Sequence, residues 1–106
     1  MMQYQTIGHT DIEISRIILG CGCFGGIGSE PSLFNQGENE EQAHEILDIA
    51  VRLGITTIDT ADAYGGGRSE TYIGTWLKKC DEQIKKNLIL SSKTYNPMFI
   101  GDTIGL

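Results

Sequence analysis

Residues 56–70 read TTIDTADAYGGGRSE, an apolar approach to Asp59 that is followed five positions later by Tyr64 and then by three glycines. The β-branched run Ile55–Thr60 predicts a strand, and the glycines predict a loop after it. Asp59 therefore stands at the carboxyl end of a strand, and Tyr64 stands in the next loop. Parallel α/β proteins build their sites at that end of the strands.

The segments on either side of this strand alternate between strand and helix patterns. Two short alternating stretches between Tyr4 and Ser15 predict a hairpin that could act as a lid. The apolar run Arg16–Gly20 predicts a strand buried on both faces. Apolar residues at helical spacing predict a helix over Glu40–Leu53. A second predicted helix begins at Ser69, and Leu88–Ser92 predicts a third strand.

Capping residues mark the ends of both predicted helices. Asn39 can cap the first helix, and Gly54 follows its last turn, where the backbone commonly adopts the left-handed conformation that glycine favours. Ser69 is a good N-cap for the second helix. The loop Cys21–Asn39 is rich in glycine, and Pro31 argues against a helix within it. The apolar face of the second helix comprises Tyr72, Ile73, Trp76, Leu77 and Cys80.

This alternation indicates an α/β fold with parallel strands and helices packed outside them. A doubly wound open sheet and an eight-stranded closed barrel both satisfy that pattern. A barrel needs about 250 residues, and the 106 residues of this sequence supply fewer than half of its strands. With 40% hydrophobic and 21% charged residues, the composition is that of one small soluble domain.

Charge and cysteine content exclude several classes of function. The net charge is -6 and the eight basic residues are scattered, so we expect neither a nucleic-acid nor a membrane partner. The first residues lack the features of a secretory signal, which predicts a cytoplasmic location. Cys21, Cys23 and Cys80 match no zinc pattern and are predicted to be reduced thiols. His9 and His44 are predicted to be solvated, so no metal site is expected.

Two glycine-rich stretches resemble nucleotide-binding motifs without meeting their requirements. Gly20–Gly25 satisfies G-x-G-x-x-G, but a dinucleotide fingerprint must lead directly into a helix, and here further glycines and Pro31 intervene. A nucleotide-binding half-sheet is therefore a weak alternative. Gly65–Ser69 resembles a phosphate loop, but Asp62 and Arg68 occupy the places of its first glycine and its lysine. We reject the NTPase interpretation.

Asp59, Tyr64 and Lys93 form the candidate constellation. Lys93 ends the third predicted strand as Asp59 ends the second, so the two can pair in one pocket if these strands are neighbours. Tyr64 can then fold over both. A lysine ammonium beside a phenol stabilises the phenolate and lowers its pKa, which suits the phenol to protonating a carbonyl oxygen. A strand-end ion pair beside a packed surface tyrosine explains the same spacing.

Three segments resemble the aldo-keto reductase family. QYQTIGHTDIEISRIILGCGCFGG (residues 3–26) resembles the family's N-terminal hairpin and first strand. IDTADAYGGGRSETYIG (residues 58–74) resembles its second-strand signature, and LILSSKTYNP (residues 88–97) resembles its third-strand lysine segment. The three segments occur in the family's order and span nearly the whole chain.

The resemblance implies a (β/α)8 barrel closed at one end by a hairpin, and NADPH-dependent reduction of an aldehyde or ketone. In family terms Tyr64 is the general acid, with Lys93 and Asp59 tuning it. Gly22 and Cys23, together with Asp59, match positions near the nicotinamide end of the cofactor. The implied partner is a small carbonyl compound.

The sequence also departs from the family. The family's catalytic histidine at the end of strand four has no counterpart, because the chain ends in a predicted loop at Gly105-Leu106. We therefore expect residues 1–106 to be an N-terminal fragment, with the hairpin, three strands and two helices of the barrel, that is inactive alone. The alternative is a non-enzymatic binding or regulatory protein of the same fold, like channel-associated subunits, or a remnant that pairs with another chain.

Overall fold

A hairpin opens the chain in the computed structural model, which describes residues 1–94. Strands β1 (Tyr4–Thr6) and β2 (Glu13–Ser15) pair antiparallel, with Tyr4 opposite Ser15. The predicted hairpin is thus confirmed. Ser15 ties it to the rest of the fold, because its buried hydroxyl donates to the carbonyl of Ile17 at 2.7 Å and accepts from the N–H of Thr56 at 3.0 Å.

Three parallel strands form the central sheet. They are β3 (Ile18–Gly20), β4 (Thr57–Asp59) and β5 (Ile89–Ser91), in the spatial order β3-β4-β5. Ile18 pairs with Thr57, which pairs with Ile89. The strands lie within the predicted ranges, and the predicted parallel order is confirmed.

Helix α1 (Glu40–Arg52) matches its prediction to within one residue. Its capping box is complete, since the Asn39 side chain accepts from the N–H of Gln42 at 2.8 Å and the Gln42 side chain accepts from the N–H of Asn39 at 3.0 Å. Gly54 has φ 90°, the left-handed conformation expected at this place.

The second half of the described chain differs from prediction in its helices. Helix α2 (Arg68–Lys79) begins one residue before Ser69 and is preceded by Gly67, so the assignment of Ser69 as N-cap is wrong. A third helix, α3 (Glu82–Asn87), was not predicted because it is only six residues long and shows no buried face. The side chain of Asp81 caps α3 by accepting from the N–H of Gln83 at 2.8 Å.

The glycine-rich loop after β3 also departs slightly from its prediction. A single 3-10 turn, Pro31–Leu33, begins at the proline that argued against helix, since proline is tolerated at a first helical position. Gly25 does not lead directly into a helix, because the first α-helix after it is α1, which begins at Glu40. The requirement for a nucleotide-binding half-sheet is therefore not met. That alternative is wrong.

Helices α1 and α2 pack on one face of the sheet and form the core with it. Ile58, in the middle of β4, is 1% exposed on this face, whereas its neighbours Thr57 and Asp59 line a cavity on the other face. The buried cluster comprises Cys21, Phe24, Ala43, Leu47, Ile58, Ile73 and Trp76.

The cavity face of the sheet is partly exposed, which corrects the prediction that the first strand is buried on both faces. Ile18 is 49% exposed and lines this cavity together with Ile7 and Ile14 of the hairpin region. A continuous apolar run signals a strand meant to be covered on both faces, but within residues 1–94 only one face of β3 is covered by helices.

None of the helices within residues 1–94 has both the length and the apolar character needed to cross a bilayer.

Two expectations fall on residues that the structure does not describe. They are the segment 95–97 of the third family-like stretch and the loop predicted at Gly105-Leu106.

Candidate active site

Asp59 lies in a layer of three residues at the carboxyl ends of the parallel strands. Gly20 of β3 pairs with Asp59 of β4, which pairs with Ser91 of β5. Gly20 has no side chain and a Cβ there would meet nothing within 4 Å, so the space beside the Asp59 carboxylate is open. All three residues line the same cavity, whose volume is about 350 Å³.

Lys93 forms an ion pair with Asp59. Its Nζ donates to Oδ2 of Asp59 at 2.8 Å and to the backbone carbonyl of Thr60 at 2.7 Å. The hydrogen bond from Lys93 holds the pKa of Asp59 below its usual value, with a smaller contribution from Ser91. The same bond to Asp59 raises the pKa of Lys93. Lys93 is therefore a cation, and Asp59 an anion, over the whole neutral range.

Tyr64 lies over this ion pair. The Lys93 Nζ is 5.2 Å from the centroid of the Tyr64 ring, a distance at which a cation is attracted to an aromatic ring. Contact with Tyr64 also contributes to the raised pKa of Lys93, behind the contribution of Asp59. The structure thus brings together the three residues that the sequence marks as catalytic.

The backbone after Tyr64 explains the three glycines of the opening stretch. Gly65, Gly66 and Gly67 have φ of 61°, 68° and 101°, conformations that residues with a Cβ rarely adopt. A Cβ at Gly65 would also lie 2.7 Å from the carbonyl oxygen of Phe24. The glycines therefore let the chain turn sharply and pack against the loop after β3 before α2 begins.

Of the two loop residues matched to the cofactor, Gly22 lies beside Tyr64. A Cβ built at Gly22 would lie 3.9 Å from both Cε2 and Cζ of the Tyr64 ring. Cys23 is exposed, and its carbonyl accepts from the N–H of Glu38 at 2.8 Å. Gly22 therefore lies against Tyr64. Cys23 is linked to the candidate site by its place directly after Gly22 in the sequence.

Sequence reasoning missed two buried hydroxyls next to these residues. Thr60 is 5% exposed and Ser69 is fully buried, and their hydroxyl oxygens are 2.8 Å apart. Ser69 donates to the carbonyl of Cys21 at 3.0 Å. The available signal was the hydroxyl of Thr60 directly after Asp59, at the carboxyl end of a strand, whereas Ser69 was interpreted as a helix cap.

His44 is not a solvated side chain, contrary to expectation. Its Nε2 lies 2.9 Å from the carbonyl of Tyr72 and its Nδ1 lies 3.0 Å from Lys79 Nζ, so it joins α1 to α2. The lysine can only donate, which fixes the proton of the neutral ring on Nε2. His9 is exposed in the hairpin turn. Within residues 1–94, no group of three or more His, Cys, Asp or Glu side chains could hold a metal ion.

Comparison with known proteins places this arrangement in a family. The family model described as "Aldo/keto reductase family" matches residues 16–104, a range that includes Asp59, Tyr64 and Lys93. The chain belongs to the aldo/keto reductase family. The barrel resemblance inferred from its three segments is thereby confirmed, and the doubly wound sheet is wrong.

Individual aldo/keto reductase relatives agree with this assignment. The chain is 37% identical over 103 residues to Protein tas of Escherichia coli, a match that covers 91% of this chain and 26% of the relative. It is 39% identical over 93 residues to aldo-keto reductase YhdN of Bacillus subtilis, which covers 88% of this chain and 26% of the relative.

A solved structure shows the same fold. The aldo-keto reductase AKR11C1 from Bacillus halodurans, in its holo form, superposes with a TM-score of 0.71 at 28% identity. The match covers 98% of this chain and 30% of that chain. The chain therefore spans about a quarter of the length of its curated relatives and has the architecture of part of a TIM-type barrel.

Proposed function

We propose that residues 1–106 form the N-terminal part of the barrel domain of an oxidoreductase that reduces an aldehyde or ketone to an alcohol with NADPH. One observation carries the proposal. The Lys93 ammonium lies between the Asp59 carboxylate, at 2.8 Å, and the Tyr64 ring, at 5.2 Å, at the carboxyl ends of parallel strands. Barrel enzymes hold their catalytic groups at this end of the strands.

The residues around Tyr64 fit the nicotinamide end of the cofactor. Gly22 presents bare backbone beside the phenol ring, and Gly20 leaves the space next to Asp59 open. Gly22 and Cys23 would hold the nicotinamide end, with Asp59 at its side, and the cofactor would supply a hydride to the carbonyl carbon. Membership of a family that generally uses NADP(H) supports NADPH as the reductant.

Tyr64 then acts as general acid. Its hydroxyl donates a proton to the carbonyl oxygen of the substrate, so that the oxygen becomes the hydroxyl of the alcohol. The neighbouring Lys93 cation stabilises the negative charge left on the phenolate. Asp59 keeps Lys93 charged and oriented, since the carboxylate and the Thr60 carbonyl occupy two of its three N–H donors.

The other properties proposed for the protein follow from this chemistry. The substrate is a small carbonyl compound, and neither nucleic acid nor a membrane takes part. We place the protein in the cytoplasm, where NADPH-dependent reductases meet their cofactor. Net charge of -6 with scattered basic residues supports the absence of a nucleic-acid partner.

The decisive experiment is the variant Tyr64→Phe, made in the protein expressed from the complete reading frame. Removal of the phenol hydroxyl should lower kcat by about 10²–10⁴-fold and leave the Kd of NADPH within about twofold, because the ring stays in place. Tyr72→Phe is the matched control, since Tyr72 packs against the core from α2 and not at the strand ends.

An unchanged kcat in Tyr64→Phe would remove Tyr64 from the reaction. A wild-type protein that binds NADPH but reduces none of a panel of aldehydes and ketones would instead favour the non-enzymatic, regulatory alternative. Equal losses in Tyr64→Phe and Tyr72→Phe would indicate a general effect of losing a tyrosine hydroxyl.

A further inference from the structure

Two buried hydroxyl groups connect the separate segments that carry the candidate site. The Thr60 side chain follows Asp59 at the end of β4, and the Ser69 side chain belongs to the first turn of α2. Their oxygens are 2.8 Å apart, and Ser69 Oγ is 3.0 Å from the carbonyl oxygen of Cys21 in the loop after β3. Loop, strand and helix thus meet at one pair of hydroxyls.

The direction of these hydrogen bonds follows from the number of protons. A carbonyl oxygen can only accept, so the single hydroxyl proton of Ser69 points to Cys21. Thr60 must then donate its own proton to Ser69. Two hydrogen bonds run in series from Thr60 through Ser69 to Cys21, and because both side chains are buried, water cannot replace either bond.

Both ends of this series touch the candidate site. At one end, the backbone carbonyl of Thr60 accepts from Lys93 Nζ at 2.7 Å. At the other end, Cys21 directly precedes Gly22, which lies against the Tyr64 ring. The N–H of Cys21 also donates to the carbonyl of Asp59 at 2.9 Å. A shift of Ser69 or Thr60 would therefore move Lys93 relative to Gly22 and Tyr64.

We propose that Thr60 and Ser69 are positioning residues, whose hydroxyls fix the Lys93 ammonium and the backbone at Gly22 at the spacing that proton transfer from Tyr64 requires. This inference rests on the reductase function proposed above. Neither hydroxyl touches the reacting atoms, so each acts through a neighbour. Proton transfer depends steeply on the placement of donor and acceptor, so a small displacement has a large kinetic effect.

A purely structural role for the two hydroxyls makes a different prediction. Burial of polar groups without partners destabilises any fold, and this would lower the midpoint of unfolding without altering kcat of the molecules that remain folded. Kinetics measured well below the unfolding midpoint therefore separate positioning from structural support.

The kinetic test uses Ser69→Ala, Thr60→Val and the double variant, with cofactor at saturation. We expect each single variant to lower kcat about tenfold, and the double variant to lose little more, because either change breaks the same series of bonds. Thr60→Ser, which keeps the hydroxyl, should restore kcat. The control is Thr71→Ala, also on α2, whose exposed hydroxyl donates to the carbonyl of Gly67 at 2.9 Å.

Values of kcat within twofold of wild type in both Ser69→Ala and Thr60→Val would overturn the proposal. The proposal would also be overturned if the fold loss of kcat in the double variant equalled the product of the two single losses, or if Thr60→Ser and Thr60→Val had equal kcat. If Ser69→Ala does not fold, Thr60→Val carries the test alone, since it keeps the shape of the side chain.

A second readout does not depend on activity and keeps this inference separate from the proposed function. The protein is labelled with ¹³C-lysine and its lysines are left unmodified, the Lys93 Cε signal is assigned with Lys93→Arg, and its titration is followed by NMR. If the hydroxyls position Lys93 against the Thr60 carbonyl, the titration midpoint of Lys93 falls in Ser69→Ala and Thr60→Val and returns in Thr60→Ser. An unchanged midpoint in both variants refutes the positioning role, whether or not the wild-type protein reduces carbonyls.

Discussion

Replacement of Lys93 by methionine should damage catalysis far more than folding. The variant Lys93→Met keeps an unbranched side chain of similar length and removes the charge. In the folded protein the side chain of Lys93 is 48% exposed and that of Asp59 is 37% exposed. An ion pair so open to water stabilises a fold by about 0–1 kcal/mol, and water can solvate the Asp59 carboxylate that is left behind.

The kinetic cost is larger because the ammonium acts on the proton donor. General acid catalysis contributes about 10²–10⁴-fold to a rate, which corresponds to about 2.7–5.5 kcal/mol of activation free energy. Loss of the Lys93 cation removes the group that stabilises the Tyr64 phenolate, so we expect most of this contribution to disappear. The loss in activation free energy then exceeds the loss in stability several-fold.

The assay combines urea unfolding with steady-state reduction of an aldehyde at saturating NADPH. Lys85→Met provides a matched control, because Lys85 forms a comparable ion pair with Glu82 at 3.1 Å within α3, away from the strand ends. It should lose similar stability and keep its kcat. The reasoning is refuted if Lys93→Met retains wild-type kcat, or if its activity falls only by the fraction of unfolded protein.

Three further predictions concern pH, packing and thiol reactivity. The hydrogen bond between Asp59 and Lys93 lowers the folded-state pKa of the carboxyl group and raises that of the ammonium. The stability that the pair contributes should therefore be constant around neutral pH, fall in acid as the carboxylate is protonated, and fall in strong base as the ammonium is lost. Urea unfolding of wild type and Asp59→Asn across pH tests this prediction. It is contradicted if the difference between their free energies of unfolding varies between pH 5 and 9. Gly37→Ala should destabilise the protein by about 1–3 kcal/mol, because a Cβ would overlap the carbonyl oxygen of Cys23; an unchanged urea midpoint would show that the loop adjusts freely. Iodoacetamide should alkylate the exposed Cys23 in the native protein and spare Cys21, whose burial raises its pKa to about 12. Equal labelling of the two cysteines, measured by mass spectrometry of the digest, would contradict this prediction.

The parts of the fold that local chemistry determines were predictable from the sequence. Asn39 and Gly54 mark the two ends of α1, because an N-cap and a residue with positive φ each interact only with the adjacent turn of the helix. Asp59 and Lys93 could be placed together because Asp59 ends β4, Lys93 follows the end of β5 by two residues, and parallel strands end at one edge. Their ion pair then follows from opposite charges at short distance.

The features that sequence analysis missed depend on contacts between distant segments. A serine at the start of a helix looks like a cap, and only the approach of the Cys21 carbonyl, 48 residues earlier, gives Ser69 another partner. His44 looked solvated because its own helix places it among polar residues, whereas Tyr72 and Lys79 of α2 supply its partners. Neither arrangement leaves a periodic signal in the sequence.

The order of the site residues along the chain has a consequence during synthesis. Cys21, Thr60 and Ser69 all precede Lys93, which lies 34 residues after its partner Asp59. Ribosomes add about 5–20 residues per second, so the ammonium is made roughly 2–7 s after the carboxylate that binds it. The hydrogen bond from Ser69 to Cys21 has both of its partners before the Asp59–Lys93 ion pair does. The ion pair is therefore the last of these contacts that can form.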